Sequence, residues 1–67
     1  MENLMLKVKR IKMGLGESET AVLAHMTKKD YIDVESNMVE PKLKDMVNIS
    51  NVFHATMEEL FDWNPSV

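Results

Sequence analysis

Two clusters of lysine and arginine are the groups in this sequence with the clearest chemical use. One cluster lies within residues 7–12, and the other is the pair Lys28-Lys29, which directly follows Thr27. Basic side chains bind phosphate, so both clusters are candidate contacts to a nucleic acid. A basic run also has a plainer interpretation as the solvated face of an amphipathic helix, and a lysine pair also suits an acidic protein partner. The first cluster consists of Lys7, Lys9, Arg10 and Lys12.

Carboxylates oppose this chemistry over the middle of the chain. The net charge is −3, which taken alone argues against a DNA-binding protein, because phosphates must be neutralised by basic residues. A carboxylate can accept a hydrogen bond from cytosine N4, so one acid on a DNA-reading helix is compatible with binding, whereas several are costly. The acids between residues 17 and 40 are Glu17, Glu19, Asp30, Asp33, Glu35 and Glu40.

Catalytic and metal chemistry have little support in the residue types. The chain has no Cys, and His25 and His54 stand far apart without an acid or nucleophile placed beside either of them. We therefore predict that the protein is not an enzyme and has no metal site, no cofactor and no small-molecule substrate. Apolar runs are too short for a membrane span or a signal peptide, so we expect a cytoplasmic protein without a membrane partner.

Helical periodicity supplies the elements that position the charged clusters. An apolar stripe predicts a first helix, and Gly14 is placed to close it. A second helix is predicted over residues 17–25. Thr27 is a good N-cap for a third helix, which Ser36-Asn37 ends, so the lysine pair falls in the first turn of that helix. The stripe of the first helix is Leu4, Val8, Ile11 and Leu15.

Two further helices complete the chain. Pro41 suits the first turn of a fourth helix, and Thr56 opens a fifth, because residues 56–59 form a capping box. A short terminal strand that pairs residues 1–4 with residues 62–64 is compatible with the sequence but not required by it. The sequence thus predicts one all-α domain over residues 1–67, with five helices. The predicted buried face of the fourth helix is Leu43, Met46, Ile49, Ser50 and Phe53.

This order of helices and turn signals resembles the lambda-repressor-like helix-turn-helix family of the Cro/CI type. The similarity runs without a gap from Leu6 to Phe61, and its specificity lies in the combined spacing. Residues 60–65 resemble the tail of very small stand-alone phage and bacterial repressors, which are homodimers with a small terminal β-element. The matching positions are Leu6, Arg10, Gly14-Leu15, Ala21, Thr27, Val34-Glu35, Asn37, Pro41, Leu43, Ile49, Phe53 and Glu58-Glu59-Leu60-Phe61.

The resemblance implies a helix-turn-helix unit over about residues 17–36, whose second helix enters the major groove of double-stranded operator DNA. Lys9 and Arg10 are further candidates for phosphate contacts. The implied homodimer makes Phe61 and Trp63 candidate dimer contacts, and Trp63 equally suits the covering of the monomer core. The implied DNA- or partner-binding residues are Glu17, Thr27, Lys28, Lys29, Asp30, Asp33, Asn37, Met38 and Val39.

Two functions follow from this unit, and the sequence leaves both open. One is a transcriptional regulator, such as a repressor, that binds operator DNA as a dimer. The other is a phage-type anti-repressor, or modulator of repression, whose acidic helix-turn-helix face binds the DNA-reading domain of a cognate repressor protein. The second is favoured by Glu17, which stands where the family usually has Gln. In that function Tyr31, Met38 and Val39 would supply the apolar centre of the interface.

Overall fold

The computed structural model describes residues 3–63, and over that range the chain is helical with no strand. The predicted all-α class with five helices is therefore confirmed. Of the predicted terminal strand, residues 1–2 and 64 lie outside the described range, and residues 3, 4, 62 and 63 form none. No helix in residues 3–63 is long and apolar enough to cross a membrane. The helices are α1 (Leu4–Lys12), α2 (Glu17–Leu23), α3 (Lys28–Glu35), α4 (Leu43–Phe53) and α5 (Met57–Phe61).

Threonine side chains fix where α3 and α5 begin. Thr27 Oγ1 accepts a hydrogen bond from the Asp30 backbone N–H at 3.1 Å, and Thr56 Oγ1 accepts one from the Glu59 N–H at 3.0 Å. Both predicted N-caps are thus confirmed, and each is worth about 1 kcal/mol. The Glu59 carboxylate pairs with Lys9 Nζ at 3.0 Å, which links α5 to α1.

The chain leaves its helices through residues in the left-handed conformation. Gly14 and Asn37, which were predicted as stops, are two of them. At such a position a Cβ atom crowds the following carbonyl, so residues other than Gly are uncommon there. His25 nevertheless adopts it, and this lets the chain turn sharply out of α2. The residues are Gly14 (φ 70°), His25 (φ 58°), Asn37 (φ 59°), His54 (φ 52°) and Asp62 (φ 54°).

The core draws on every helix. Its widest apolar side chains come from α3 and α4, and α2 contributes small residues that let α3 approach closely. Thr20 is also fully buried, and its hydroxyl donates to the Gly16 carbonyl at 2.9 Å, which satisfies the polar group locally. On α4 the predicted face is buried except for Leu43, the first residue of the helix. The core residues are Leu6, Ala21, Ala24, Tyr31, Val34, Ile49, Phe53 and Leu60.

The face that α1 turns to the core differs from the predicted one. Leu4, Val8 and Ile11 are 61%, 45% and 58% exposed, while Leu6 is fully buried. Leu6 shares its side of the helix with Arg10, which is held by a residue of α3. The spacing of the apolar residues correctly indicated a helix, but it could not show that a second, smaller set of residues would be buried.

Candidate nucleic-acid interface

α2 and α3 form a helix-turn-helix. Four residues, Ala24–Thr27, connect them, which is the length typical of this motif. Within the turn His25 is left-handed, and the Met26 N–H donates to the Ala21 carbonyl at 2.8 Å. Met26 also packs against the core. The turn therefore fixes the direction in which α3 starts.

The two sides of α3 have different environments. Tyr31, Val34 and Glu35 are buried against the rest of the domain. The N-cap and the first turn are exposed, and Asp33 is partly exposed one turn further on. The structure thus brings together, at one exposed helix end, the residues predicted to start the reading helix: Thr27, Lys28, Lys29 and Asp30.

The charges at this end partly cancel. Lys29 Nζ lies 2.9 Å from Asp33 Oδ2, and this hydrogen bond raises the pKa of Lys29. Both groups are in contact with solvent, and an exposed pair of this kind contributes little to stability, so Lys29 can exchange its partner for a phosphate at little cost. Lys28 is exposed and makes no ion pair within residues 3–63.

A buried ion pair between α1 and α3 holds α3 on its buried side. Arg10 Nε lies 2.9 Å from Glu35 Oε1, and Arg10 Nη2 donates to Glu35 Oε2 at 3.4 Å. The two side chains are 13% and 8% exposed. The Tyr31 hydroxyl donates to the same Oε1 at 3.3 Å. The hydrogen bond with Glu35 raises the pKa of Arg10, so the guanidinium stays charged and holds α1 to α3.

This cluster bears on three predictions. Arg10 Nη1 also donates to the Leu15 carbonyl at 3.1 Å, so the guanidinium is held by contacts inside the domain, and its predicted phosphate contact stays a prediction. Glu35 is buried and does not belong to an acidic surface, and Tyr31 is fully buried and cannot be the apolar centre of an interface. A signal was present in the sequence: Tyr31 and Glu35 are four residues apart and therefore share one helix face with Val34.

The loop after α3 lies beside its exposed edge. Asn37, Met38 and Val39 are all exposed, and Met38 is exposed to 75%. Val39 lines a cleft of about 210 Å³ together with acids from α3, the loop and α4. Of the three predicted loop residues, Val39 thus joins the α3 site, while Asn37 lines the separate cleft that Phe61 and Trp63 border. The acids of the cleft are Asp30, Asp33, Glu40 and Asp45.

Other predicted residues lie apart from this group. Glu17 is half-buried at the start of α2, and its negative charge helps to raise the pKa of Arg10 and of Tyr31. Lys9 is turned toward α5 by its pair with Glu59. Phe61 and Trp63 line a different cleft, of about 420 Å³, which Met46 also borders. Their predicted roles, phosphate contact for Lys9 and dimer contact for the aromatic residues, stay predictions.

The structure also brings together two residues that sequence reasoning left as separate loop positions. His25 and His54 line one open cleft of about 330 Å³ with Asn48 and Asn51. Each histidine is the left-handed residue that follows a helix, and nothing in their sequence separation indicated that the ends of α2 and α4 would meet. Within the described range, no group of three or more His, Asp or Glu is arranged to hold a metal ion.

The buried hydroxyl of Tyr31 leads to a prediction about alkaline pH. Burial, aided by the charge of Glu35, raises the pKa of Tyr31 above the value of about 10 that it has when unfolded. The folded protein therefore keeps this proton at a pH where the unfolded chain releases it. The stability that the protonated hydroxyl contributes is complete below pH ~10 and is lost as the pH rises further.

We expect Tyr31→Phe to be less stable than the wild type at pH ~8, by about 1 kcal/mol, because one hydrogen bond is missing. The difference should narrow progressively above pH ~10. Urea unfolding at a series of pH values measures it, and Tyr31 is the only tyrosine, so the two proteins share every other titrating group. A difference that stays constant through pH 11 would contradict the buried environment of the hydroxyl.

Comparison of the sequence with protein families and with curated proteins gave no match: no protein-family model matches it, and no curated protein matches it. The arrangement of α2, the turn and α3 is therefore the observation from which a function is inferred.

Proposed function

We propose that this protein is a transcriptional regulator of the Cro/CI helix-turn-helix type, which binds operator DNA with the start of α3 in the major groove. One observation carries the proposal: the N-cap and first turn of α3 are exposed, while the other side of the helix is fixed by buried contacts. A recognition helix needs both properties, because its first residues meet base edges and its orientation must not vary.

Each exposed residue at the start of α3 has a chemical use on DNA. Lys28 and Lys29 can bind phosphate, or the O6 and N7 acceptors of guanine. Asp30 can accept a hydrogen bond from cytosine N4. The Thr27 oxygen already accepts from the Asp30 N–H, so its own proton is left to donate to a phosphate. This combination favours a site that contains G·C pairs.

The charge distribution makes this a weakly electrostatic DNA-binding surface. Since Arg10 is held by Glu35, the first basic cluster contributes less than its composition suggests. If Lys28 and Lys29 are the phosphate contacts of each protomer, the logarithm of the binding constant should fall against the logarithm of salt concentration with a slope of about −2 for each bound protomer, or about −4 for a dimer. Binding is therefore best measured at low salt.

The proposal includes a homodimer on a pseudo-palindromic site. A chain of 67 residues buries little apolar surface by itself, and association is one way to add to it. We place the contact at the cleft that Phe61, Trp63 and Met46 line, because partly buried aromatic residues are suitable anchors. Half-sites would then lie about 34 Å, or one helical turn, apart.

Replacing Lys28 with alanine should weaken DNA binding about tenfold at low salt, because one contact to phosphate or guanine is lost. Lys12→Ala is the matched control, since it removes the same charge from an exposed position on α1. Fluorescence anisotropy would measure both variants on a duplex that the wild-type protein selects from a random-sequence library. Equal loss in the two variants, or no duplex selected at all, would contradict the proposal.

A second candidate function is the anti-repressor, favoured by the acidic edge beside α3. Asp30, Asp33 and Glu40 surround a cleft next to Val39, and Met38 is the most exposed large apolar side chain of residues 3–63. An acidic rim around adaptable apolar residues suits the basic DNA-reading face of a repressor domain, which would then be blocked from its operator.

The double change Asp30→Lys with Asp33→Lys separates the two functions. In the anti-repressor it should abolish the complex with a repressor domain, because like charges would meet across the interface. In the DNA-binding regulator it should strengthen sequence-independent binding to a random duplex at low salt, since it adds cations beside phosphate and releases Lys29 from Asp33. Calorimetry with a repressor domain and anisotropy with DNA give opposite answers for the two functions.

A further inference from the structure

The outward side of α1 carries an apolar stripe that the domain does not use. Leu4, Val8 and Ile11 are spaced by four and then three residues, and each is about half exposed or more. At about 100° per residue their Cβ atoms fall within about 60° of one another, on the side of the helix opposite Leu6. The stripe therefore faces away from the core that Leu6 enters.

Buried contacts prevent α1 from turning this stripe inward. Rotation of the helix about its axis would withdraw Leu6 from the core and separate Arg10 from Glu35, and breaking a buried ion pair is strongly destabilising. One exposed apolar residue needs no explanation, but three at helical spacing form the kind of seam against which another helix packs. The contacts of Leu6 and Arg10 therefore keep this seam on the outside of the domain.

We propose that this seam is a docking surface for an acidic amphipathic helix of another protein. α1 carries basic residues and no acid, and Lys12, which is exposed, borders the stripe by helical geometry. A helix whose apolar residues repeat at the same spacing, with Glu or Asp at the flanking positions, matches the surface in both shape and charge. The proposal does not rest on DNA binding by α3, because it concerns the opposite side of α1 from the one that contacts α3.

A second copy of this chain does not fit the surface. Pairing α1 with α1 would bring two basic helices together, since α1 contains no acid. The acids of the chain lie mainly in residues 17–40 and in α5, so docking α1 onto them would be head-to-tail contact that leaves the second copy's own stripe uncovered. Such contacts produce rings or open filaments rather than symmetric dimers. The occupant is therefore a different protein.

A membrane surface fits less well than a protein helix. Basic amphipathic helices do bind anionic lipid, but they rely on a long apolar face with aromatic residues. α1 has nine residues and no aromatic residue.

Two synthetic helical peptides test the proposal. Both carry the same apolar seam, and one is flanked by Glu where the other is flanked by Lys. Anisotropy should show that the Glu-flanked peptide binds the full chain at least tenfold more tightly, and that raising the salt from about 50 to about 500 mM reduces this preference. Val8→Glu with Ile11→Glu should weaken binding of the Glu-flanked peptide at least tenfold.

The control variant is Val22→Glu, since Val22 on α2 is 73% exposed and lies outside the stripe. It should bind the Glu-flanked peptide as the wild type does. Circular dichroism should show all variants folded, because every changed residue is exposed. Equal binding of the two peptides, or binding that survives the double change, would overturn the proposal. So would self-association that the double change abolishes, or preferential retention on phosphatidylserine-containing vesicles.

Discussion

Leu6→Ala should lower the free energy of unfolding by about 3 kcal/mol, the usual cost of emptying a fully buried leucine site. A domain of this size has a total stability of only about 3–10 kcal/mol, so this loss is a large part of the total and the variant should unfold at a clearly lower urea concentration than the wild type. Leu4→Ala is the control, because it makes the same chemical change in the same helix at a position that is 61% exposed. It should cost less than about 0.5 kcal/mol.

Urea unfolding followed by circular dichroism measures both variants. The comparison decides which side of α1 faces the core, since the two leucines lie about 160° apart around the helix. A larger loss for Leu4→Ala than for Leu6→Ala would restore the face that the apolar spacing predicted. It would also remove the outward stripe on which the docking proposal depends.

Glu35→Ala should be comparably severe, with a loss of about 3 kcal/mol, because it leaves the buried guanidinium of Arg10 and the hydroxyl of Tyr31 without their acceptor. The matched control is Glu40→Ala, an acid in the exposed loop, which should change stability by less than about 0.5 kcal/mol. Thermal and urea unfolding would measure both.

A double-mutant cycle shows whether the pair is the cause. Arg10→Met with Glu35→Leu removes both charges together and should be more stable than either single change, because each single change leaves one unpaired buried charge and the double change leaves none. If the losses of stability in the two single variants simply add in the double variant, Arg10 and Glu35 act independently. We expect them not to add, because the two side chains are in contact at 2.9 Å. Since this pair also orients α3, we expect the single variants to bind DNA more weakly even at temperatures where they are folded.

Local signals in the sequence predicted several helix boundaries, although α4 begins at Leu43, so that Pro41 precedes the helix, and α2 ends at Leu23 and not at residue 25. Thr27 and Thr56 cap their helices, and Gly14 and Asn37 end theirs, because each device depends only on residues within one turn. The burial of α1 was predicted wrongly for a physical reason. Periodicity gives the faces of a helix, but which face is buried depends on contacts with residues distant in sequence.

The candidate site likewise contains one part that the sequence predicted and one part that it did not. The exposed start of α3 was predictable, because the N-cap sets the position of Lys28 and Lys29 in the first turn. The interior position of Arg10 was not, because a guanidinium binds a phosphate and a carboxylate equally well, and its partner Glu35 lies 25 residues away. Helical spacing of Tyr31, Val34 and Glu35 did indicate that these three share one face.

The most direct test of the central claim, that the start of α3 contacts DNA, is a titration of ¹⁵N-labelled protein with a selected duplex at low salt, followed by two-dimensional NMR. The account predicts that the largest changes in amide shift fall on residues 27–30, with smaller ones in the adjoining loop at residues 37–39. Residues 4–12 of α1 should change least. Changes confined to α1, or no change in residues 27–30 while the duplex binds, would contradict it.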